Sequence, residues 1–377
     1  MTKVAEIYII LHNCEEHSMK IAILNDTHCG IRNSSDIFMD YQELFYRDVF
    51  FPYLLENNIT RILHLGDYYD NRKTVNFKCL NHNRKIFLEK LREYGMTMDI
   101  ILGNHDTYFK NTNELNSLKE LQGHYMNEVN IIQKPTVMDY DGLKIGLVPW
   151  IADDNEKESL EFINNCNASI IGAHLELIGF DMYRGMPAHD GMDRKLFDRF
   201  EMVLTGHFHA KSSQGNIHYL GAQMEFFWND CGDKKYFHVL DTETREIEAI
   251  LNPNTIFEKI YYDHEKINDF QDLRYLDNKF VKLIVVNKGD SYKFERFVDR
   301  IQSQKIHELK IAEDFSEFIG TNVDDGEINI DNTETVVYNY IDSVQTDLYK
   351  NRIKREISSL MTEAQNLEIQ LSLIHIY

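Results

Sequence analysis

The sequence predicts an α/β fold: one large domain, with a small β-α-β unit and a helical tail appended to it. Three observations carry this. From Lys20 to about residue 250, short β-rich apolar runs end repeatedly in polar residues. Segments of helical pattern, such as 42–57 and 76–94, lie between them. Asn252-Pro253-Asn254 then breaks the rhythm, and a strand-helix-strand pattern fills 279–311.

The runs are IAILND, RILHLGD, MDIILGNHD, LKIGLVPW, ASIIGAHLE, EMVLTGHFH, IHYLGA and YFHVLD. Strands that alternate with helices make sheets whose sites lie in the loops at the strands' carboxyl ends. The later unit reads as strand KFVKLIVV, helix YKFERFVDRIQS and strand KIHELKI. Eight carboxylates and two glycines between 313 and 334 read as a solvated linker. In the tail, Val337, Ile341, Val344 and Leu348 recur at helical spacing, and Ile353, Ile357, Leu360, Ala364 and Leu367 continue the stripe. A stripe this narrow suits a partner helix, or packing on the chain's own domain. The expected division is 1–18 as a non-native or disordered extension, 19–252 as the main domain, 253–312 as the small domain, 313–332 as linker, 333–370 as helical tail, and 371–377 as a sequence-assembly artefact.

Bulk composition narrows the function. A chain of 377 residues with 43% hydrophobic side chains has enough apolar material for a sizeable core. Its formal charge of −21 argues against a general electrostatic grip on nucleic acid, so any such contact is local, metal-bridged or shared with a partner. Five cysteines without a C-x-x-C pair suggest a reducing compartment and no thiolate zinc site. No apolar run approaches the length of a membrane span, and with the cysteine usage the expected location is the cytoplasm.

The chemistry sits at five strand ends: Asp26-x-His28, Gly66-Asp67-x-x-Asp70, Gly103-Asn104-His105-Asp106, Gly172-Ala173-His174 and Gly206-His207-x-His209. Any one alone is weak, since a histidine after a strand is more often a hydrogen-bonded core residue. Together they form a nitrogen and oxygen donor set suited to Mn²⁺, Fe²⁺ or Zn²⁺. A carboxylate among them can bridge two ions, which is the arrangement that clamps a phosphodiester.

These motifs resemble the signature of the calcineurin-like metallophosphoesterases, from about residue 20 to 240. The resemblance implies a four-layer α-β-β-α sandwich. It implies that Asp26, His28 and His209 hold one divalent ion, that Asn104, His174 and His207 hold the other, and that Asp67 bridges them. The ions would be Mn²⁺, with Mg²⁺ the alternative. His105 would act on the leaving oxygen or steady the phosphate, and Asp106 would orient His105 or merely complete a turn. G-D-x-x-D followed by Asn71-Arg72, and G-N-H-D rather than G-N-H-E, depart from the protein-phosphatase pattern.

The layout of core, small domain, acidic linker and helical tail resembles the SbcD-type recombination nucleases. That implies a DNA-binding cap over 253–312 and C-terminal helices docked on an SMC-like ATPase. It also implies a homodimer formed through helices near 35–55 and 75–95, with double-strand exonuclease and single-strand endonuclease activity. No G-x-x-x-x-G-K-[ST] occurs, so ATP would be used by the partner. Asp70 and Arg72 are candidate DNA contacts, although Asp70 equally well completes a turn. Lys282, Lys288, Lys293 and Arg296 are candidate phosphate contacts or a solvated face. His64 reads as a core histidine, and Phe226, Phe227 and Trp228 as buried rather than base-stacking. The competing readings are a stand-alone metallophosphatase or small-molecule phosphodiesterase, and a non-enzymatic docking scaffold.

Overall fold

The computed structural model describes residues 19–183, 186–188, 191–267, 271–313 and 350. The chain divides into two units, Met1–Phe318 and Ile319–Tyr377. Apart from Glu313 and Lys350, the expected extension, linker, tail and artefact lie outside the described residues.

Two six-stranded sheets form the larger part. The first has the order β14 (Ile247–Asn252), β13 (Lys235–Asp241), β1 (Lys20–Leu24), β2 (Arg61–His64), β3 (Thr97–Ile101) and β4 (Val129–Ile132). The second has the order β11 (Ser212–Gln214), β12 (Ile217–Tyr219), β10 (Met202–Gly206), β7 (Ile170–His174), β6 (Leu143–Val148) and β5 (Thr136–Tyr140). A two-stranded ribbon, β8 (Asp181–Tyr183) with β9 (Met186–Pro187), lies between β7 and β10 in sequence.

Side-chain alternation sets the layers. Ile21 and Ile23 of β1 join Leu63, Leu65 and Ile101 against Ile145, Leu147, Ile170 and Leu204 in a cluster between the sheets. Ala22 and Leu24 point the other way, with Ile62, Met98 and Ile100, onto Phe45, Phe50, Phe87 and Leu91 of the outer helices. Beyond the second sheet, Ile171, Ala173 and Val203 pack against Ile163 and Phe197. Both faces of the central strands are therefore apolar, which is why they read as near-continuous hydrophobic runs. The four-layer α-β-β-α sandwich is the observed architecture.

The helix at Asp36–Phe45 passes through a wide π-helical turn, Tyr46–Phe50, into Phe51–Glu56. The second outer helix does the same, with Phe77–Asn83, Arg84–Leu88 and Glu89–Glu93 in succession, and Asn76 caps it by accepting from the Lys78 N–H at 2.8 Å.

The small unit differs from expectation by one strand. β15 (Phe257–Asp263) joins β16 (Phe280–Asn287) and β17 (Glu308–Glu313) in a three-stranded parallel sheet. The helix Ser291–Gln302 starts at Asp290, whose side chain accepts from the N–H of Tyr292 and Lys293, and it buries Phe294, Phe297 and Ile301. Phe257 and Phe280 face the larger part, where Phe257 lies 4.7 Å from Trp228 and Phe280 stacks on Phe38 at 5.8 Å.

Candidate metal centre

The parallel strands β1, β2, β3, β7 and β10 deliver their carboxyl ends to one place. Asp26 and His28 follow β1, Asp67 and Asp70 follow β2, and Asn104 and His105 follow β3. His174 ends β7, while His207 and His209 follow β10. The turns are tight enough to force left-handed backbone on side-chain-bearing residues. Asp26, His28, Asp67 and His207 have φ of 48°, 43°, 56° and 90°. Strain of this kind, concentrated on polar residues at strand ends, is found where a site is held in a set geometry.

Two glycines make the approach possible. Gly66 has φ 89°, and a Cβ there would sit 2.7 Å from both the Gly103 nitrogen and His174 Nδ1. At Gly103 the conformation is ordinary, but a Cβ would come within 2.2 Å of Asp67 Oδ1. Its role is close approach, not unusual φ.

Two donor groups result. In one, His28 Nε2 lies 3.1 Å from His209 Nε2 and 4.0 Å from Asp26 Oδ1. In the other, Asn104 Oδ1 lies 3.0 Å from both His174 Nε2 and His207 Nδ1, and His174 Nε2 is 3.4 Å from Asp67 Oδ2. Asp67 Oδ2 is also 3.8 Å from His28 Nε2, so this one carboxylate faces both groups. Asp26–His28–His209 and Asp67–His174–His207 each gather ligand atoms within 4.8 Å of one another. A third group, His28–Asp70–His105, shares His28 with the first. Imidazole nitrogens packed against one another, with buried carboxylates close by, fit divalent cations well.

The electrostatics agree. Burial alone would depress His28 and His174, but nearby carboxylates outweigh it: Asp70, Asp67 and Asp26 for His28, and Asp67 and Asp26 for His174. Both imidazoles rise to about 9. Burial and the neighbouring His174 push His207 down to about 3, and burial and His28 hold His209 well below the usual range. Burial opposes ionisation of Asp67, yet His174, His105 and His28 bring it well below the ordinary carboxylate range. The carboxylates thus call for positive charge, which two imidazoliums supply in the protein alone and metal would supply in their place.

His105 and Asp106 part company. The His105 N–H donates to Asp67 Oδ1 at 2.7 Å, and its Nδ1 donates to the Asp70 carbonyl. The expectation that Asp106 orients the imidazole is corrected. Its Oδ2 accepts from the N–H of Asp67 and Gly103, both at 2.9 Å, and its Oδ1 from Tyr68 and Tyr69 at 2.9 and 3.2 Å. Completely buried, it fastens the loop after β2 to the loop after β3.

Asp70 reaches the group, with its Oδ1 3.4 Å from His28 Nδ1. Arg72 lies on the following turn, half-buried, with Nη1 enclosed and lacking a hydrogen-bond partner. His64 is a core residue, its Nε2 3.0 Å from Thr27 Oγ1 and burial pushing it down to about 3. Phe226 and Trp228 are buried, while Phe227 is half-exposed and stacks on His209 at 5.9 Å. Lys282 is not solvated: it is buried with Nζ 4.8 Å over the Trp228 ring, whereas Lys288, Lys293 and Arg296 are exposed.

Several supports were not legible. Asn25 donates to Asp26 Oδ2 at 2.6 Å and to the Gly221 carbonyl at 3.0 Å. The Trp150 ring lies 5.3 Å from His207 and 5.9 Å from His174. Lys235, ion-paired with Asp230 at 2.6 Å, donates to the His209 carbonyl at 3.1 Å. Asn25 adjoins a motif and Trp150 ends an apolar run, which are the only signals in sequence; nothing flags Lys235.

A model of the calcineurin-like phosphoesterases matches residues 19–211, which include every one of these strand ends. The chain belongs to the calcineurin-like phosphoesterase family. It is a hydrolase of phosphate ester bonds, and its donor clusters suit that family's divalent metals. Exonuclease subunit 1 of Enterobacteria phage T4 is 30% identical over 349 residues, covering 92% of this chain and 99% of that protein. Among solved structures, an archaeal phosphodiesterase has 14% identity and a TM-score of 0.32, covering 62% of this chain and 100% of its own. The protein TT1561 of Thermus thermophilus has 12% identity and a TM-score of 0.36, covering 62% of this phosphoesterase and 98% of its own chain. Neither structural likeness bears on activity. Among the described residues no helix is long and apolar enough to cross a membrane.

Proposed function

We propose that this phosphoesterase is the DNA nuclease subunit of an ATPase-nuclease complex for recombination, repair and replication in the bacterial or phage-infected cytoplasm. The convergence of six donors around Asp67 supports the chemistry, and the T4 relative, an exonuclease subunit over almost its whole length, supports the substrate and the complex. Asp26, His28 and His209 would hold one ion and Asn104, His174 and His207 the other, with Asp67 between them. Two ions, Mn²⁺ by this reading, would supply the Lewis-acid clamp on the phosphodiester and activate water.

The chain's own groups do the rest. The Asp70 carbonyl occupies Nδ1 of His105, which leaves Nε2 to exchange a proton with the leaving oxygen. The His105 main chain is tied to Asp67, so the acid and the bridging carboxylate keep a constant spacing. Asp106 acts through the main chain of both loops.

A groove of about 380 Å³ between the two outer helices, lined by Phe51, Pro52, Leu55, Ile86 and Tyr94, supports a homodimer through these helices. The SMC-like ATPase would be met by the tail.

The deciding measurement is digestion of an end-labelled duplex with Mn²⁺ by the wild type and His105→Ser, each with and without the cognate ATPase. Loss of roughly 10²–10⁴-fold in His105→Ser, with metal content unchanged, is the expected result. Brisk hydrolysis of bis(p-nitrophenyl) phosphate with no cleavage of DNA under any condition would move the assignment to a small-molecule phosphodiesterase.

A further inference from the structure

The segment that leaves Asp106 does not turn back into the fold. It forms a loop, residues 107–116, with a pinched neck. Thr107 bridges Asn116, Tyr108 donates its N–H to the Leu115 carbonyl at 2.9 Å, and Ser117 donates to the Asp106 carbonyl at 2.8 Å. The flank is fastened as well. Asn113 Nδ2 donates to the Trp150 carbonyl at 2.7 Å and Asp154 N–H to the Asn111 carbonyl at 3.2 Å. On this staked loop Tyr108 and Phe109 stand 38% and 48% exposed, edge to face with centroids 4.8 Å apart. Leu115, across the neck, is 38% exposed.

We propose that Tyr108 and Phe109 form a stacking surface for an unpaired nucleobase of the strand that enters the metal centre. This rests on the nuclease reading above. A loop held at neck and flank keeps its aromatic faces in water, where they lose the stabilisation that burial would give. On the same two loops the exposed carboxylates Glu114, Asp153 and Asp154 outnumber the exposed cation Lys110, so the local charge disfavours a phosphate backbone. An uncharged base meets no such penalty, and every base has a π-face. Stacking is therefore the mode of nucleic-acid contact open to a chain of charge −21 at this position. The Trp150 carbonyl tethers the loop and the Trp150 ring lies beside His207, so the loop is anchored next to the donors.

The test uses the full chain with Mn²⁺ and two single strands of one sequence, one intact and one abasic over its three 3′-terminal nucleotides. Bis(p-nitrophenyl) phosphate, which has no base, normalises each variant for the state of its metal centre. The wild type should favour the intact strand over the abasic one by about tenfold in kcat/KM. The pair Tyr108→Leu with Phe109→Leu, which keeps apolar bulk but removes the π-faces, should lower the normalised rate on the intact strand about tenfold and erase the preference. Phe109→Trp should retain it, and a 2-aminopurine near the 3′ end should be quenched by the wild type and by Phe109→Trp only. A double leucine variant that keeps the preference and the quenching would overturn the proposal, and would leave the loop as a contact for a protein partner. Wild type that hydrolyses the small ester but neither strand would instead bring down the nuclease reading, and this proposal with it.

Discussion

Asp106 Oδ2 accepts the main-chain N–H of Asp67 at 2.9 Å, so the carboxylate that faces both donor groups has its backbone fixed by a second, fully buried carboxylate. Burial and the charge of Asp67 push Asp106 up to about 7. Each of its two oxygens takes two N–H groups, and the two pairs come from different loops in only one case, Gly103 with Asp67.

Asp106→Asn should therefore be severe despite its shape. Whichever way the amide turns, its NH₂ meets two N–H donors and leaves both unpaired in the interior. At roughly 1–3 kcal/mol for each buried donor without a partner, the loss is about 2–6 kcal/mol. Thermal unfolding and metal content should fall together. Retention of both would show that the four hydrogen bonds contribute little.

Metal binding should be strongly pH-dependent. Without metal, His28 and His174 stand at about 9, so both carry protons at neutral pH that must leave before their nitrogens can ligate. Calorimetric titration in buffers of different ionisation enthalpy should find about two protons released at pH 7, fewer above pH 9, with affinity rising between. A proton count near zero at pH 7 would contradict this.

Glu225 gives a stability prediction with a definite sign. Burial pushes it up to about 7 from an ordinary 4.5. Between these values the folded protein keeps a proton that the unfolded chain has lost. Stability from this group is thus complete below about pH 4.5 and declines as pH rises through 7. Glu225→Gln removes the titration, so its unfolding free energy should gain on that of the wild type by a few kcal/mol from pH 4.5 to 7.5. A constant difference across that range would mean that the carboxylate titrates normally.

Gly66→Ala tests the close approach. The left-handed φ costs about 1 kcal/mol or more, and the added methyl strikes the Gly103 nitrogen and His174 Nδ1. Metal content and Mn²⁺-dependent hydrolysis should both collapse. Gly95→Ala, with φ 65° but open space around it, should cost only the backbone strain and keep the site.

Sequence revealed the interior of the fold and missed its margins. All eight apolar runs became strands. Those not foreseen in the two large sheets, β4, β5, β11 and β14, are their four edge strands. An edge strand has one paired side and one open face, so its composition is mixed and its pattern weak; Val129–Ile132 and Ser212–Gln214 are also very short. β15 escaped for a related reason, because Glu258, Lys259 and Tyr261 interrupt its buried positions. At the site, the strand-end motifs brought out the donors, since glycine and polar residues after an apolar run are conspicuous. Asp106 shows where that signal stops. A motif says that a carboxylate is needed next to His105, but three of its four partners are main-chain N–H groups 37–39 residues away, which have no letter in the sequence.

Glu225 also determines where this chain can be divided. Its Oε2 accepts the N–H of Ile256 and Phe257 at 2.7 and 3.0 Å, Tyr41 reaches the Asn254 carbonyl at 2.9 Å, and Trp228 rests on Phe257. A little further along, Asp230 holds Lys235, and Lys235 holds the His209 carbonyl. The break that Asn252-Pro253-Asn254 marks in sequence is consequently not a seam in the solid. A chain cut at that point would leave a buried carboxylate without its two donors and a tryptophan facing water, with His209 one short relay away. Through these contacts the phosphoesterase core and the three-stranded sheet are fastened into one folding piece.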